Sequence, residues 1–202
     1  MKKPLRILLL GLILWLLWTM FGGEFTRPHV PPVGPDPVPP VSRPDRPQPP
    51  VQPPAPDRSQ PLRGNIDRIL IEKGARRLTV YQDGKRVREY RIALGFTPDG
   101  DKVRQGDGKT PEGIYKIDRR NDRSKFHLSL GINYPQPEDR ARAKKGGYSP
   151  GGDIFIHGQP NQIADGYRVK GDWTEGCVAI DNHQIEELFA ATPMGTEVEI
   201  RP

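Results

Sequence analysis

The chain has 202 residues, of which 24 are proline and only one is cysteine, and its formal net charge is +6. This length suits one ordinary domain, and a single cysteine excludes an internal disulfide, so the fold must be held by its own core. The cations are scattered among acidic residues without a base-reading element, which argues against a nucleic-acid partner.

Residues 1–25 are predicted to be an N-terminal signal anchor. Lys2, Lys3 and Arg6 precede a run from Ile7 to Gly23 that contains no charged residue. The run reaches the lower limit for spanning a bilayer, and no clear cleavage site follows, so we favour an uncleaved anchor over a cleaved signal. The positive-inside rule then places the rest of the chain outside the cytoplasm, with the inner membrane as a partner.

Residues 26–63 are predicted to be a proline-rich spacer. Between Thr26 and Pro61, proline recurs among Val, Asp, Arg and Gln without helical or strand periodicity, so this segment cannot build a core. Extended polyproline geometry, at about 3.1 Å per residue, would give it a contour length of roughly 110 Å. A leader without function is the alternative interpretation.

Residues 64–202 are predicted to form a mainly β, β-sandwich-like domain with one helix in its C-terminal half. Asp83-Gly84 is a strong hairpin signal, and either Asp181 or Asn182 is positioned to cap the helix. The predicted strands cover residues 66–71, 78–81, 86–94, 113–117, 126–130, 153–157, 177–180 and 197–200.

Two predicted loops are rich in turn-forming or charged residues. Residues 106–113 contain three glycines and a proline, whereas residues 133–152 are long, charged and end in Ser-Pro-Gly-Gly. Long loops in compact domains are more often functional than idle, so we expect residues 133–152 to form a lid or a binding wall.

Cys177 is the candidate nucleophile. An unpaired cysteine in an oxidising compartment is exposed to overoxidation and mispairing, so its presence needs a reason. Gly176 permits a tight turn that presents the sulfur and leaves backbone N–H groups free to bind an oxyanion. A buried cysteine that acts only as a small hydrophobic residue is the alternative.

His157 is the favoured base, because a thiol of pKa about 8.5 needs a nearby imidazole to become a thiolate near neutral pH. His29 lies in the spacer and His183 opens the predicted helix. His127 and His157 both lie on or beside predicted strands, and His157 ends an apolar run just before Gly158. A zinc site of His127, His157 and Cys177 lacks supporting spacing, so no metal or other cofactor is predicted.

These residues resemble the signature of the YkuD-type L,D-transpeptidase family. His157-Gly158 is followed, after a spacer, by Trp-Thr-Glu-Gly-Cys at residues 173–177, similar to the family pattern of histidine, spacer, Ser or Thr, any residue, Gly and Cys. Thr-Pro-Glu-Gly at residues 110–113 resembles the Thr-Pro-x-Gly turn of that family. The resemblance covers residues 66–202 and implies the family's β-sandwich-like catalytic fold.

The resemblance implies a role for each residue of the motif. Cys177 would be the nucleophile and His157 the general base, with the Gly158 carbonyl orienting the imidazole. A carbonyl can replace the usual carboxylate, because the third group only has to fix the tautomer and orientation of the histidine. The N–H groups of Gly176 and Cys177 would bind the oxyanion.

Five residues are the candidates for binding substrate. Glu175 stands where the best-known members have histidine, and it would bind the amine of diaminopimelate or else face solvent from a turn. Trp173 would form an apolar wall, or alternatively belong to the core. Arg168 would pair with a stem-peptide carboxylate, with simple exposure as the alternative. Thr174 and His127 complete the set.

The resemblance implies a peptidoglycan stem peptide as the donor. Attack at its diaminopimelate carbonyl would release a terminal D-amino acid and leave a thioester on Cys177, and an amine would complete the transfer. Residues 173–179 are also similar to a subgroup that includes an amidase acting on lipoprotein-linked peptidoglycan. A hydrolase or amidase, with a wall-linked lipoprotein as partner, is therefore one alternative, and a non-catalytic, membrane-tethered wall-binding module in the periplasm is another.

Overall fold

The computed structural model describes residues 62–164 and 166–202. The predicted anchor and nearly all of the predicted spacer lie outside these residues. Within the described part of the chain, neither helix is long and apolar enough to cross a membrane.

Eight strands form one sheet in the order β3-β2-β1-β8-β4-β5-β6-β7. The β1/β8 and β6/β7 pairs are parallel, and the other neighbours are antiparallel. The strands are β1 (Arg68–Glu72), β2 (Arg77–Gln82), β3 (Lys85–Arg91), β4 (Gly113–Ser124), β5 (His127–Ile132), β6 (Phe155–His157), β7 (Val178–Ala179) and β8 (Glu197–Arg201). The expectation of a mainly β domain is confirmed.

The first three strands form an antiparallel meander, and the predicted hairpin joins the second strand to the third. Asp83 and Gly84 both have positive φ, at 50° and 69°, and they connect the paired residues Gln82 and Lys85. A two-residue turn with two positive φ angles matches the twist of a β-hairpin, which is why Asp-Gly is a strong local signal.

β4 is longer than predicted and is shared by the two halves of the sheet. Residues 113–116 pair with β8, whereas residues 117–124 pair with β5. The predicted strand ended at Ile117 because a charged run follows it. That run forms a largely exposed ribbon with β5, in which charged side chains stay solvated while the backbone groups pair.

A helix lies where the sequence predicted only a loop, so the prediction of a single helix was wrong. The helix α1 (Pro137–Gly146) has proline in its first turn, the Asp139 carboxylate bound to the Gln136 N–H, and Gly147 in the left-handed conformation after its end. Its buried residues are only Asp139 and Ala143. Helical periodicity of apolar residues, the signal used to find helices, is therefore missing from it.

The predicted C-terminal helix is confirmed as α2 (Asn182–Ala191), with Asp181 as its N-cap. Asp181 and Gln184 form a capping box, since the Asp181 N–H donates to the Gln184 side chain. The buried face of α2 carries Ile185, Leu188 and Ala191, and it packs against β5 and β6.

One continuous core receives side chains from all eight strands and from α2. Its largest fully buried members are Ile66, Ile69, Ile71, Leu78, Leu94, Ile117, Leu130, Ile132, Ile156, Ile180, Ile185 and Leu188. Because β6 and β7 are anchored in this core by Ile156 and Val178, the residues at their ends are held in fixed positions.

Candidate active site

The parallel pairing of β6 and β7 brings Cys177 and His157 together. Ile156 pairs with Val178, and His157 pairs with Ala179. Side chains alternate along extended backbone, so Cys177, two residues before Ala179, faces the same side as His157. Both residues line one cavity of about 760 Å³.

Five regions of the chain wall this cavity. They are residues 102–106, Phe126, residues 149–154 and the segments that carry His157 and Cys177. The end of the loop 133–152 contributes to the wall through Ser149, Gly151 and Gly152, while its predicted role as a lid or a substrate-binding wall stays a prediction.

The imidazole of His157 is oriented by its neighbour. Its Nδ1 lies 2.7 Å from the Gly158 carbonyl oxygen, and a carbonyl only accepts, so Nδ1 carries the proton and Nε2 is free to receive one. The residue is 2% exposed. Burial lowers the pKa of His157 to about 4, and the hydrogen bond to Gly158 opposes this shift. The imidazole is therefore neutral at neutral pH.

Two aromatic rings enclose this imidazole. The ring of Phe126 stacks on it at 4.5 Å between centroids, and the ring of Trp173 meets it edge-on at 5.7 Å. The carbonyl of Phe126 also accepts the Gly158 N–H at 3.0 Å. Sequence reasoning missed Phe126, although it is the only aromatic ring of Phe, Tyr or Trp type in the charged run 118–127.

The thiol of Cys177 is half-buried in the wall of the cavity. Its Sγ donates to the Asp153 carbonyl at 3.4 Å. Although the sulfur lines the cavity, surrounding protein atoms raise the pKa of Cys177 to about 11, and a hydrogen bond from the Phe155 N–H partly offsets this. The resting pair at neutral pH is thus a thiol beside a neutral imidazole, rather than the thiolate expected from sequence.

Thr174 closes the turn that presents the cysteine. Its hydroxyl donates to the Cys177 carbonyl at 2.7 Å and accepts the Gly176 N–H at 3.1 Å. No described residue accepts a hydrogen bond from the Cys177 N–H. The family resemblance implied that the N–H groups of Gly176 and Cys177 bind the oxyanion. The Gly176 N–H is already hydrogen-bonded to Thr174 within the turn, which leaves the Cys177 N–H.

Glycine is required at position 176 by its backbone and its surroundings. Gly176 has a φ of 134°, which L side chains rarely adopt, and a Cβ there would lie 2.6 Å from the Lys109 carbonyl oxygen. The nucleophile turn therefore packs directly on the backbone of the loop 106–113.

The Thr-Pro-Glu-Gly turn supports this arrangement from below. The buried Thr110 hydroxyl accepts the Gly95 N–H at 3.1 Å. The buried Lys73 ammonium donates to the Thr110 carbonyl at 2.9 Å and pairs with Glu112 at 2.8 Å. None of the residues of this turn lines the cavity, so the turn supports the site from behind the cavity wall.

The structure separates the remaining candidates into two groups. Trp173, Thr174 and Glu175 line the cavity of Cys177, and their role in binding substrate stays a prediction. His127 and Arg168 instead line a second depression of about 440 Å³. There His127 Nε2 lies 2.7 Å from a Glu186 carboxylate oxygen, and Arg168 pairs with Asp181 at 2.7 Å.

No group of three or more His, Cys, Asp or Glu side chains in residues 62–164 and 166–202 is arranged to hold a metal ion. The three residues considered for zinc are divided between the two depressions, with His127 in one and His157 and Cys177 in the other. Only the latter two share a cavity, as a nucleophile and its base must.

Comparisons with known proteins agree with this geometry. Residues 66–200 match the sequence profile of the YkuD family, described as an L,D-transpeptidase catalytic domain. The protein described as "Putative L,D-transpeptidase YafK" of Escherichia coli (strain K12) is 31% identical over 136 residues, covering 64% of this chain and 48% of YafK.

A solved structure is also similar to this chain. The helical cell shape determining protein Pgp2 from Campylobacter jejuni is 30% identical, with a TM-score of 0.54, over 68% of this chain and 48% of Pgp2. The chain thus spans about half the length of the relatives that it matches.

Proposed function

Because this chain belongs to the YkuD family of L,D-transpeptidase catalytic domains, we propose that it is a cysteine-dependent peptidoglycan L,D-transpeptidase. One observation carries the proposal. Cys177 immediately precedes β7, His157 ends the neighbouring strand β6, and both line one cavity, while the Gly158 carbonyl holds the imidazole in the tautomer that leaves Nε2 free.

In the first half-reaction, the Cys177 sulfur attacks the diaminopimelate carbonyl of a stem peptide. The thiol proton passes to His157 Nε2 as the carbon–sulfur bond forms, because the thiol and the imidazole are both neutral at rest. The Cys177 N–H is the donor offered to the oxyanion, since Thr174 engages that of Gly176. The terminal D-amino acid leaves with the proton from His157, and a thioester remains.

In the second half-reaction, an amine attacks the thioester carbon. His157 accepts the proton that the nitrogen loses, the carbon–sulfur bond breaks, and the imidazolium returns that proton to the Cys177 sulfur. Phe126 and Trp173 enclose one side of the imidazole, which limits the access of water to it.

The proposal also includes a location. Residues 1–25 would tether the chain to the inner membrane, and residues 26–63 would let the domain reach the wall across the periplasm. Shortening the spacer is expected to lower activity in cells while leaving the activity of the purified protein intact. Equal losses in both settings would contradict a reaching role.

The test of the proposed reaction compares the full chain with Cys177→Ala. Both are incubated with defined muropeptides and with lipoprotein-linked wall, and the products and the protein are identified by mass. We expect cross-linked dimers, a released D-amino acid and an acyl group on Cys177, with none of these from the variant. Shortened stems or freed lipoprotein without dimers would assign hydrolysis instead, and identical products from both proteins would exclude cysteine chemistry.

A further inference from the structure

The cavity of Cys177 carries one uncompensated charge. Three charged side chains line it besides the reacting pair. Lys102 is neutralised by Asp107 at 2.7 Å, and Asp153 by Arg119 at 2.8 Å. Glu175 is exposed, and within the described residues it has neither an ion-pair nor a hydrogen-bond partner.

The backbone that carries Glu175 is held in place on both sides. Thr174 is buried and makes two hydrogen bonds within the turn, and Gly176 packs on the Lys109 carbonyl. The carboxylate is thereby presented in the cavity only two residues before the nucleophile. A charge on a fixed backbone costs little further ordering when it meets a ligand.

This carboxylate does not assist ionisation of the nucleophile. Its charge, like that of Asp153, raises the pKa of Cys177, whereas the charge of Lys102 lowers it. Glu175 therefore opposes thiolate formation, and its place in the cavity needs a different explanation. An unpaired carboxylate beside a reacting group is suited to binding a cation.

We propose that Glu175 makes this part of the cavity a subsite for a primary ammonium group, and that it selects an amine acceptor over water in the second half-reaction. The choice of acceptor rests on the proposed transpeptidase function, whereas the recognition of a cation does not. The bound ammonium loses one proton to solvent water before its nitrogen attacks the thioester, and His157 accepts the second proton as described above.

Thiol labelling tests the cation preference without any enzymatic turnover. The full chain is treated separately with 2-aminoethyl methanethiosulfonate, a cation, and 2-sulfonatoethyl methanethiosulfonate, an anion. Each forms a disulfide with Cys177, the only cysteine, and releases methanesulfinate. Because both reagents meet the same thiolate, the ratio of their rates is independent of its ionised fraction.

We expect the ratio of the cationic to the anionic labelling rate to be about tenfold higher for Cys177 than for a free cysteine peptide, and this increase is the gain that the variants test. Glu175→Gln should remove most of this gain, as should high salt. Glu138→Gln, which changes the net charge equally on α1 outside the cavity, should leave it intact. An unchanged ratio in Glu175→Gln, or an equal loss in Glu138→Gln, would overturn the subsite.

Kinetics with a defined muropeptide donor then test acceptor selection. In Glu175→Gln we expect acylation of Cys177 to proceed at least as fast, the KM for an amine acceptor to rise about tenfold, and hydrolysis to take a larger share of product. Parallel losses of acylation and transfer would overturn the selective role. An unmodified Cys177 in the native chain would count against the proposed reaction alone, because the labelling ratio still decides the subsite.

Discussion

Phe126 holds the His157 imidazole by two separate contacts. Its ring stacks on the imidazole with the planes 30° apart, and its carbonyl accepts the N–H of Gly158, the residue that orients the imidazole. The first contact excludes water from the ring, and the second fixes the backbone that holds its tautomer. Phe126 is thus a positioning residue that acts through His157.

Phe126→Leu is expected to raise the pKa of His157 from about 4 toward 6.5, because removing the stacked ring admits water to the imidazole. The acid limb of the acylation rate should move to higher pH by the same amount. Histidine NMR titration and the pH–rate profile both measure this shift. Phe96→Leu, at an exposed ring outside the cavity, is the control, and equal profiles for the two variants would contradict the positioning role.

The buried neutral His157 predicts a pH-dependent stability. Its folded pKa of about 4 lies below the unfolded value near 6.5, so its contribution is complete above pH 6.5 and is lost as pH falls through 4. Between pH 7 and pH 5 the free energy of unfolding should fall by about 2 kcal/mol more than in His157→Gln. Urea unfolding of both proteins at both pH values measures these falls in free energy, and the contributions of other titrating groups cancel when the two proteins are compared. An equal fall in both proteins would show that the imidazole is solvated.

Gly176→Ala is expected to destabilise the domain by about 3 kcal/mol or more, because the new Cβ would combine a disfavoured φ with a clash against the Lys109 carbonyl. Gly171→Ala separates the two effects. Gly171 has a φ of 72° and open space around it, so only about 1 kcal/mol is expected there. Thermal and urea unfolding compare the variants, and similar losses would mean that the turn can move away from Lys109.

Thr174→Val keeps the shape of the side chain and removes its hydroxyl. The Cys177 carbonyl and the Gly176 N–H then lose their partner, so we expect a loss of about 2 kcal/mol in stability and at least a tenfold slower acylation of Cys177. Thr174→Ser should restore both, because it retains the hydroxyl. Full acylation by Thr174→Val would show that the nucleophile turn does not depend on these bonds.

Local patterns were sufficient for most strands and for selecting Cys177 and His157, which line one cavity. The Asp83-Gly84 hairpin, the capped helix α2 and the His157-Gly158 and Gly176-Cys177 steps are short-range features, in which a residue type and a backbone conformation are directly linked. The helix α1 escaped prediction because it buries little apolar surface, and the end of β4 because its side chains are charged.

Which residues line the cavity of Cys177 depends on contacts between distant segments of the chain. His127, although beside Phe126 in sequence, faces Glu186 in another depression, whereas Phe126 reaches His157 from 31 residues away. Which side of a bulged hairpin each residue faces follows from the pairing of β4 with β5, and no local periodicity encodes it.

The sequence by itself determined the mainly β domain and singled out Cys177 and His157 as the candidate nucleophile and base, because strand alternation, turn glycines and motif spacing act over a few residues. Only the tertiary structure decided that both reacting groups rest neutral, that Thr174 shapes the turn, and that Glu175 is the unpaired charge in the cavity. Ionisation and pairing depend on burial and on partners that chain folding brings together, so they exist only once the segments have packed.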